Sequence, residues 1–211
     1  MSVLLMIGAG GHARVMAEAA IESGACSNIV FFDDRYPGMS ELDGYQVIGN
    51  IDSFVDNAHL SHRAAVAIGD NRLRVELINK ALAVGLECPP IVHPSAVVSA
   101  VAELGSGTLV LAQSVVAIGT VLGLGCIVNN GSTIDHDCLI GDGVHVSPGA
   151  HLAGGVNVGR YSWVGLGATI NQSLTIGEKV IIGASAAVTS DISSNVTCVG
   201  IPARPLRDNS H

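Results

Sequence analysis

Residues 116–146 read VAIGTVLGLGCIVNNGSTIDHDCLIGDGVHV, and every sixth residue in that stretch, Val116, Leu122, Val128, Ile134, Ile140 and Val146, is a large aliphatic. The column extends both ways without a slip, back through Val110, Leu104 and Val98 to Val92, and on through Leu152, Val158, Val164, Ile170, Ile176 and Ile182 to Val188. Two positions earlier runs a second column of mostly small residues, among them Ala102, Thr108, Ser114, Thr120, Cys126, Ser132, Cys138, Ala150 and Ala168. An α-helix asks for an apolar period near 3.6 and a half-buried strand for a period of 2. A period of six meets the strand rule locally, because the two columns stand two residues apart and share a face. The remaining positions are left for a turn. Gly105, Gly123, Gly141, Gly159, Gly165, Gly177 and Gly183 follow the large residue directly and read as turn residues whose backbone only glycine adopts cheaply. Short strand and tight turn, repeated, is the unit of a parallel β-helix, in which each coil buries its inward row on its neighbours. No inserted loop interrupts the hexads from His93 to Ala187.

The segment before them has a different rhythm. Residues 3–7 form a strand-like run, followed by Gly8-Ala9-Gly10-Gly11-His12-Ala13-Arg14 and an amphipathic stretch over 15–23. Residues 28–32 read as a second strand ending in Asp33-Asp34, residues 65–68 as another strand and 72–84 as another helix, before Pro89-Pro90 breaks the chain. This is a βαβ unit with a Gly-rich turn at a helix N-terminus, where free N–H groups and the helix dipole favour a phosphate. Gly8, Gly10 and Ala13 fit the dinucleotide fingerprint, which by itself describes a tight strand-to-helix turn without a ligand equally well. So short a segment holds a mononucleotide-type end rather than two Rossmann halves. Two domains are expected, 1–90 and 91–211.

Composition narrows the class. Hydrophobic residues make up 48%, charged ones 13% and aromatics 3%, so the core is filled by Val, Ile, Leu and Ala, as thin layered strands require. The formal net charge of −8 argues against a nucleic-acid partner, which needs a basic face. The apolar residues 1–7 lack a basic flank and read as a strand rather than a signal peptide, and no run reaches the ~20 apolar residues of a membrane span. Cys26, Cys88, Cys126, Cys138 and Cys198 form no metal-type or redox-type pairs, which suits reduced thiols in the cytoplasm.

Together, Gly10-Gly11-His12-Ala13-Arg14, Asp33-Asp34, Ile91-Val92-His93-Pro94-Ser95-Ala96, Asp135-His136-Asp137-Cys138-Leu139-Ile140-Gly141 and Gly200-Ile201-Pro202-Ala203-Arg204 resemble the sialic acid O-acetyltransferase and UDP-4-amino-sugar N-acetyltransferase family. The resemblance implies an α/β Rossmann-like βαβ domain followed by an all-β left-handed parallel β-helix of eighteen-residue coils. It further implies a homotrimer with acetyl-CoA as co-substrate between neighbouring β-helices, and an N-terminal domain that holds the nucleotide sugar. The acceptor would be a nucleotide-linked 4-amino-4,6-dideoxy sugar, UDP-linked by preference, of the kind used in bacterial surface glycans or glycoproteins; the hydroxyl of a sialic acid is the alternative.

Matched residue by residue, the family's base falls on His136 and its acidic neighbour on Asp137, with Asp135 as a rival partner. An amine attacking a thioester must lose a proton, and an imidazole oriented by a carboxylate can take it. Residues eighteen apart stack along the coil axis about 4.8 Å apart, so Gly154 falls one coil beyond His136, where its N–H is a candidate oxyanion donor. By the same match Leu166, Gly183 and Ala184 contact the pantetheine arm. Gly10, Gly11, His12, Asp33 and Asp34 match positions that bind the sugar nucleotide, with Asn129 reaching in from a neighbour; for Asp33 and Asp34 a solvated strand end is an equal reading. His145 matches a second histidine near the acceptor from the adjacent subunit, a place where ordinary interface packing is an equal reading; it stacks on Trp163 by the eighteen-residue rule.

Two further classes compete. Gamma-type carbonic anhydrases use left-handed β-helices and hold zinc through three histidines, which directs attention to His136, His145 and His151. The last two, in successive hexads at one phase, fall on different faces, so one chain cannot bring both to a single metal, and no metal is expected. A trimeric scaffold that binds NAD through the Gly8–Gly11 turn is the other.

Overall fold

The computed structural model describes residues 2–206. The chain divides into two compact units, Met1–Pro94 and Ser95–His211. In the first, β1 (Val3–Ile7), α1 (Gly11–Glu22), β2 (Asn28–Phe32), β3 (Glu41–Leu42), β4 (Tyr45–Gly49), β5 (Ala64–Val66) and α2 (Asn71–Ala83) follow one another. The sheet order is β3-β4-β2-β1-β5. β1 pairs parallel with both β2 and β5, and Leu4, Leu5, Met6 and Ile7 are buried, as a central parallel strand requires. α1 begins at Gly11, four residues before its amphipathic stretch, because the Gly10 carbonyl already accepts from the N–H groups of Ala13 and Arg14. α2 is capped by Asp70, whose Oδ1 accepts from Arg72 N (3.0 Å) and Leu73 N (2.8 Å). The β3–β4 hairpin was not anticipated. Its turn, Asp43-Gly44, has positive φ at both residues (49° and 86°), which is the two-residue turn that Asp-Gly favours.

The second unit is a left-handed parallel β-helix of two-residue strands. One face stacks Val97–Val98, Val115–Val116, Thr133–Ile134, His151–Leu152, Thr169–Ile170 and Ala187–Val188. A second stacks Glu103–Leu104, Val121–Leu122, Leu139–Ile140, Asn157–Val158 and Thr175–Ile176. The third carries Leu109–Val110, Ile127–Val128, His145–Val146, Trp163–Val164, Ile181–Ile182 and Thr197–Val199. Partners are eighteen residues apart throughout, until Ile181 pairs with Thr197 and the last coil is two residues short. Arg204–Pro205 then turns back antiparallel on Thr197–Val199. Among the described residues no helix is long and apolar enough to cross a membrane.

Both hexad columns point inward. From Val110 to Val188 the large residues are buried, as are the small ones between Thr108 and Val156. Each aliphatic so placed contributes about 1.5–3 kcal/mol. Three polar members of the small column bond to the next coil, Thr108 Oγ1 to Gly123 O (3.2 Å), Thr120 Oγ1 to Asp135 O (2.8 Å) and Ser162 Oγ to Gly177 O (2.8 Å), whereas the Ser114 and Ser132 hydroxyls donate within their own turns to Leu111 O and Asn129 O. Of the side chains outside the two columns, Leu139 is exposed and Val115 half-buried, whereas Leu111 is buried on a face where Leu109 and Ile127 are buried too.

The glycines after the large residue have a different reason from the one the repeat suggested. None of them has a positive φ. A Cβ at Gly105 would stand 2.5 Å from the backbone of Gly123, one at Gly141 2.7 Å from Arg160 N, and one at Gly159 2.6 Å from Glu178 N. They are small so that coils can touch. The left-handed backbone lies three residues after the large residue, at Gly107, Gly119, Gly125, Gly131, Gly143, Gly149, Gly155 and Gly167, and also at Gln113, Asp137, Tyr161, Ser173, Lys179 and Ser185.

Candidate active site

His136 stands at a corner of the prism. Asp137 N donates to Ile118 O (3.0 Å), Gly155 N to His136 O (2.8 Å) and Ser173 N to Gly154 O (2.9 Å), a ladder of turn bonds that stacks His136 under Gly154. The His136 Nδ1 and Asp137 Oδ2 lie 2.8 Å apart. Asp135 faces elsewhere: its Oδ1 accepts from the His136 N–H at 2.8 Å. The hydrogen bond to Asp137, then the Asp135 charge, raises the His136 pKa above its ordinary value. Nδ1 therefore carries the proton in the neutral ring, and Nε2 is left to accept one. A Cβ on Gly154 would run into Nε2 and Cε1 of that ring, so glycine is what leaves the ring its place. The Gly154 N–H meets no acceptor among the described residues.

A second corner carries Leu166 and Ala184. Gly149 N donates to Asn130 O, Gly167 N to Pro148 O and Ser185 N to Leu166 O, at 3.0, 3.0 and 2.7 Å. Leu166 and Ala184 are exposed, while Gly183 is half-buried with Val199 Cγ1 2.7 Å from where its Cβ would be. The Thr133–Thr169 face separates this corner from that of Gly154, so one chain does not bring the expected cofactor residues together on a single edge. That face holds a groove of about 380 Å³ lined by Thr133, Asp135, His151, Ala153, Thr169 and Asn171. His145 lies on another face, buried, its ring stacked on Trp163 at 5.0 Å and 25°. Asn129 Nδ2 is 3.1 Å from His145 Nε2, so those two residues act on each other within the chain. Among the described residues no three His, Cys, Asp or Glu side chains gather around a metal position.

In the α/β unit, Gly8 has φ 98° and would clash with Ile68 and Ala67 if it bore a Cβ, whereas Gly10 and Gly11 face open space. The N–H groups of Gly10, Gly11 and His12 have no acceptor among the described residues, which leaves the α1 N-terminus electrostatically open to an anion. His12 is pushed down to about 4 by burial and by the Arg74 charge, so its ring is neutral, and its buried Nε2 has no hydrogen-bond partner among the described residues. Asp33 is already committed to the protein. Its Oδ2 accepts from Ala9 N (2.8 Å) and its Oδ1 from Arg35 Nε (2.7 Å), and the Arg35 bond is the chief reason its pKa falls to about 2. Asp34 Oδ1 accepts from Ile51 N (3.0 Å).

Two residues were missed in the sequence. Arg35 is half-exposed and donates through Nη2 to Ala9 O (2.8 Å), which places a guanidinium at the Gly-rich turn. Arg74 is fully buried and donates to Ile68 O (3.0 Å), Gly69 O (3.2 Å) and Asn71 Oδ1 (2.8 Å). Its signal was a charge on the apolar stripe of α2, in phase with Ile78 and Ala81. A cavity of about 550 Å³ runs between α1 and the hairpin past Arg14, Phe31, Leu42 and Tyr45, and Gly11 alone of the expected site residues lines it.

The acetyltransferase domain of PglB from Neisseria gonorrhoeae matches this structure with a TM-score of 0.92 at 42% identity, over 98% of this chain and 100% of that one. The chain belongs to the hexapeptide-repeat sugar acetyltransferases. Within that family, perosamine N-acetyltransferase from Caulobacter crescentus, solved with CoA and GDP-perosamine, matches at 34% identity and a TM-score of 0.91, over 99% of this chain and 98% of that one. WeeI from Acinetobacter baumannii matches at 27% and 0.89, over 98% of this chain and 100% of that one. The PglB domain has also been solved in complex with acetyl coenzyme A. Residues 3–81 match the family described as the PglD N-terminal domain. No curated protein matches the chain.

Proposed function

We propose that this acetyltransferase moves an acetyl group from acetyl-CoA to the amine of a nucleotide-linked 4-amino-4,6-dideoxy sugar, with UDP the preferred nucleotide. The observation that carries the reading is the pairing of the His136–Asp137 dyad with a glycine one coil on whose N–H is free to meet an anion. The attacking amine gives its proton to His136 Nε2 as it bonds to the thioester carbon. The carbonyl oxygen gains charge and is met by the Gly154 N–H. Collapse of the tetrahedral intermediate expels the CoA thiolate, which recovers the proton from His136, and Asp137 holds the ring in one tautomer throughout. The diphosphate of the sugar nucleotide is held by the N–H groups of Gly10 and Gly11 and by His12, with Asp33, Asp34 and Arg35 shaping the turn.

The working unit is a homotrimer. Gly154 and the Leu166, Gly183 and Ala184 column stand on different corners of one prism, so a single acetyl-CoA meets both when two prisms lie side by side. His145 and Asn129 then approach the acceptor from a neighbouring subunit. The five cysteines, all free and buried, suit the cytoplasm. A panel of UDP-, GDP- and dTDP-linked 4-amino sugars, with sialic acid as the hydroxyl acceptor, tests the reading when free thiol release from acetyl-CoA is followed. Release with an amino sugar and none with sialic acid supports it; the reverse overturns it. Light scattering at micromolar concentration tests the assembly, which a monomer contradicts.

A further inference from the structure

The peptide that joins Ala153 to Gly154 carries a side-chain contact on its carbonyl side. Cys138, fully buried in the small inward column, lies with Sγ 3.3 Å from Ala153 O. Its contact with His136 O, at 3.7 Å, is longer, so the one S–H proton goes to Ala153. Burial pushes the thiol pKa up, which keeps that proton in place. No backbone N–H among the described residues bonds to Ala153 O, so Cys138 is what holds that carbonyl. In a trans peptide the C=O and N–H point opposite ways. With Ala153 O turned inward to the thiol, the Gly154 N–H points outward, on the side where the His136 ring stands.

We propose that Cys138 is a positioning residue: its S–H···O=C bond to Ala153 aims the Gly154 N–H at the thioester carbonyl. The inference rests on the oxyanion role given to Gly154 above. The same kind of bond elsewhere in the prism supplies a control, since Cys126 Sγ lies 3.2 Å from Gly141 O at a corner without the dyad. The column also accepts alanine, which is buried at Ala150 and Ala168, so the alanine variants keep the fold.

The experiment measures kcat and the acetyl-CoA KM for wild type, Cys138→Ala, Cys138→Ser, Cys126→Ala and His136→Ala, together with amide-proton exchange at Gly154. Cys138→Ala should lose kcat about ten-fold with KM nearly unchanged, because an oxyanion donor acts chiefly in the transition state. Serine should restore kcat to within about three-fold, as a hydroxyl donates to the same carbonyl. Gly154 exchange should change in Cys138→Ala alone, and Cys126→Ala should keep wild-type kcat. Cys138→Ala within about two-fold of wild type while His136→Ala is inactive overturns the positioning role and leaves the site intact. Equal kcat losses in Cys126→Ala and Cys138→Ala also overturn it. A fully active His136→Ala overturns both this inference and the reading on which it rests.

Discussion

His136 Nδ1 and Asp137 Oδ2 meet at 2.8 Å although the two residues are consecutive, because Asp137 occupies the left-handed corner of its coil at φ 58°. That backbone swings the short carboxylate onto the neighbouring ring, so an aspartate suffices. The position is one of a series that glycine fills in most coils, and aspartate tolerates it better than most residues.

With His136 as the proposed base, this pair predicts the pH dependence. His136 must be neutral to take a proton, and its pKa is raised, first by the Asp137 bond and then by the Asp135 charge. Activity should fall as pH drops through a value above the ordinary histidine range of about 6.5. Asp137→Asn removes the main cause, so the acid limb of kcat/KM should move to lower pH while kcat drops about ten-fold. A pH–rate profile whose acid limb does not move would show that Asp137 leaves the base untouched.

Gly154→Ala isolates the space beneath the ring. The backbone there has no positive φ, so alanine fits the chain, but its Cβ would run into Nε2 and Cε1 of His136. The ring has to leave Asp137. Turnover should fall about 10²-fold with the melting temperature within a few degrees of wild type; normal turnover would mean that coil register, and not only mechanism, is misassigned.

The two kinds of turn position separate by stability. Gly141→Ala puts a Cβ 2.7 Å from Arg160 N and 3.0 Å from its Cα, which should cost about 1–3 kcal/mol by overpacking. Gly143→Asn, at φ 65°, should cost no more than about 1 kcal/mol, since asparagine visits that region; Asn195 already does so at φ 62°. Val158→Asp, inward and buried, should cost several kcal/mol, on the order of the penalty for an unpaired buried charge. Urea unfolding of the three variants gives the order directly.

Asp33 predicts a pH effect of the opposite sign. Its folded pKa of about 2 lies below the unfolded value near 3.9. The stability it contributes, about 2 kcal/mol, is present above pH ~4 and is lost as pH falls toward 2. Asp33→Asn should therefore unfold more easily than wild type at pH 7, and the gap should narrow below pH ~4. Melting temperatures at pH 7, 4 and 3 check it.

The β-helix was legible because one column of aliphatics, Val92 to Val188, repeats through the coils, and burial of that column organises the prism. The role of the flanking glycines was misread, since Gly105 and Gly141 serve contacts between coils that sequence spacing does not display. Asp137 could be named as the partner of His136, but choosing it over Asp135 required the corner's dihedral angle. The hairpin has its own signal in the Asp43-Gly44 pair, both residues of which take a positive φ. Arg35, Arg74 and Cys138 act through carbonyls far away in sequence, and no local pattern marks such partners.

The most direct measurement is steady-state acetyl transfer to a UDP-linked 4-amino sugar by wild type and His136→Ala side by side, with acetyl-CoA affinity determined by calorimetry. Turnover should fall about 10²–10⁴-fold, the usual share of a positioned base, and acetyl-CoA affinity should stay nearly intact. A variant that keeps more than about a tenth of wild-type turnover at saturating amine would contradict the assignment of His136 as the base.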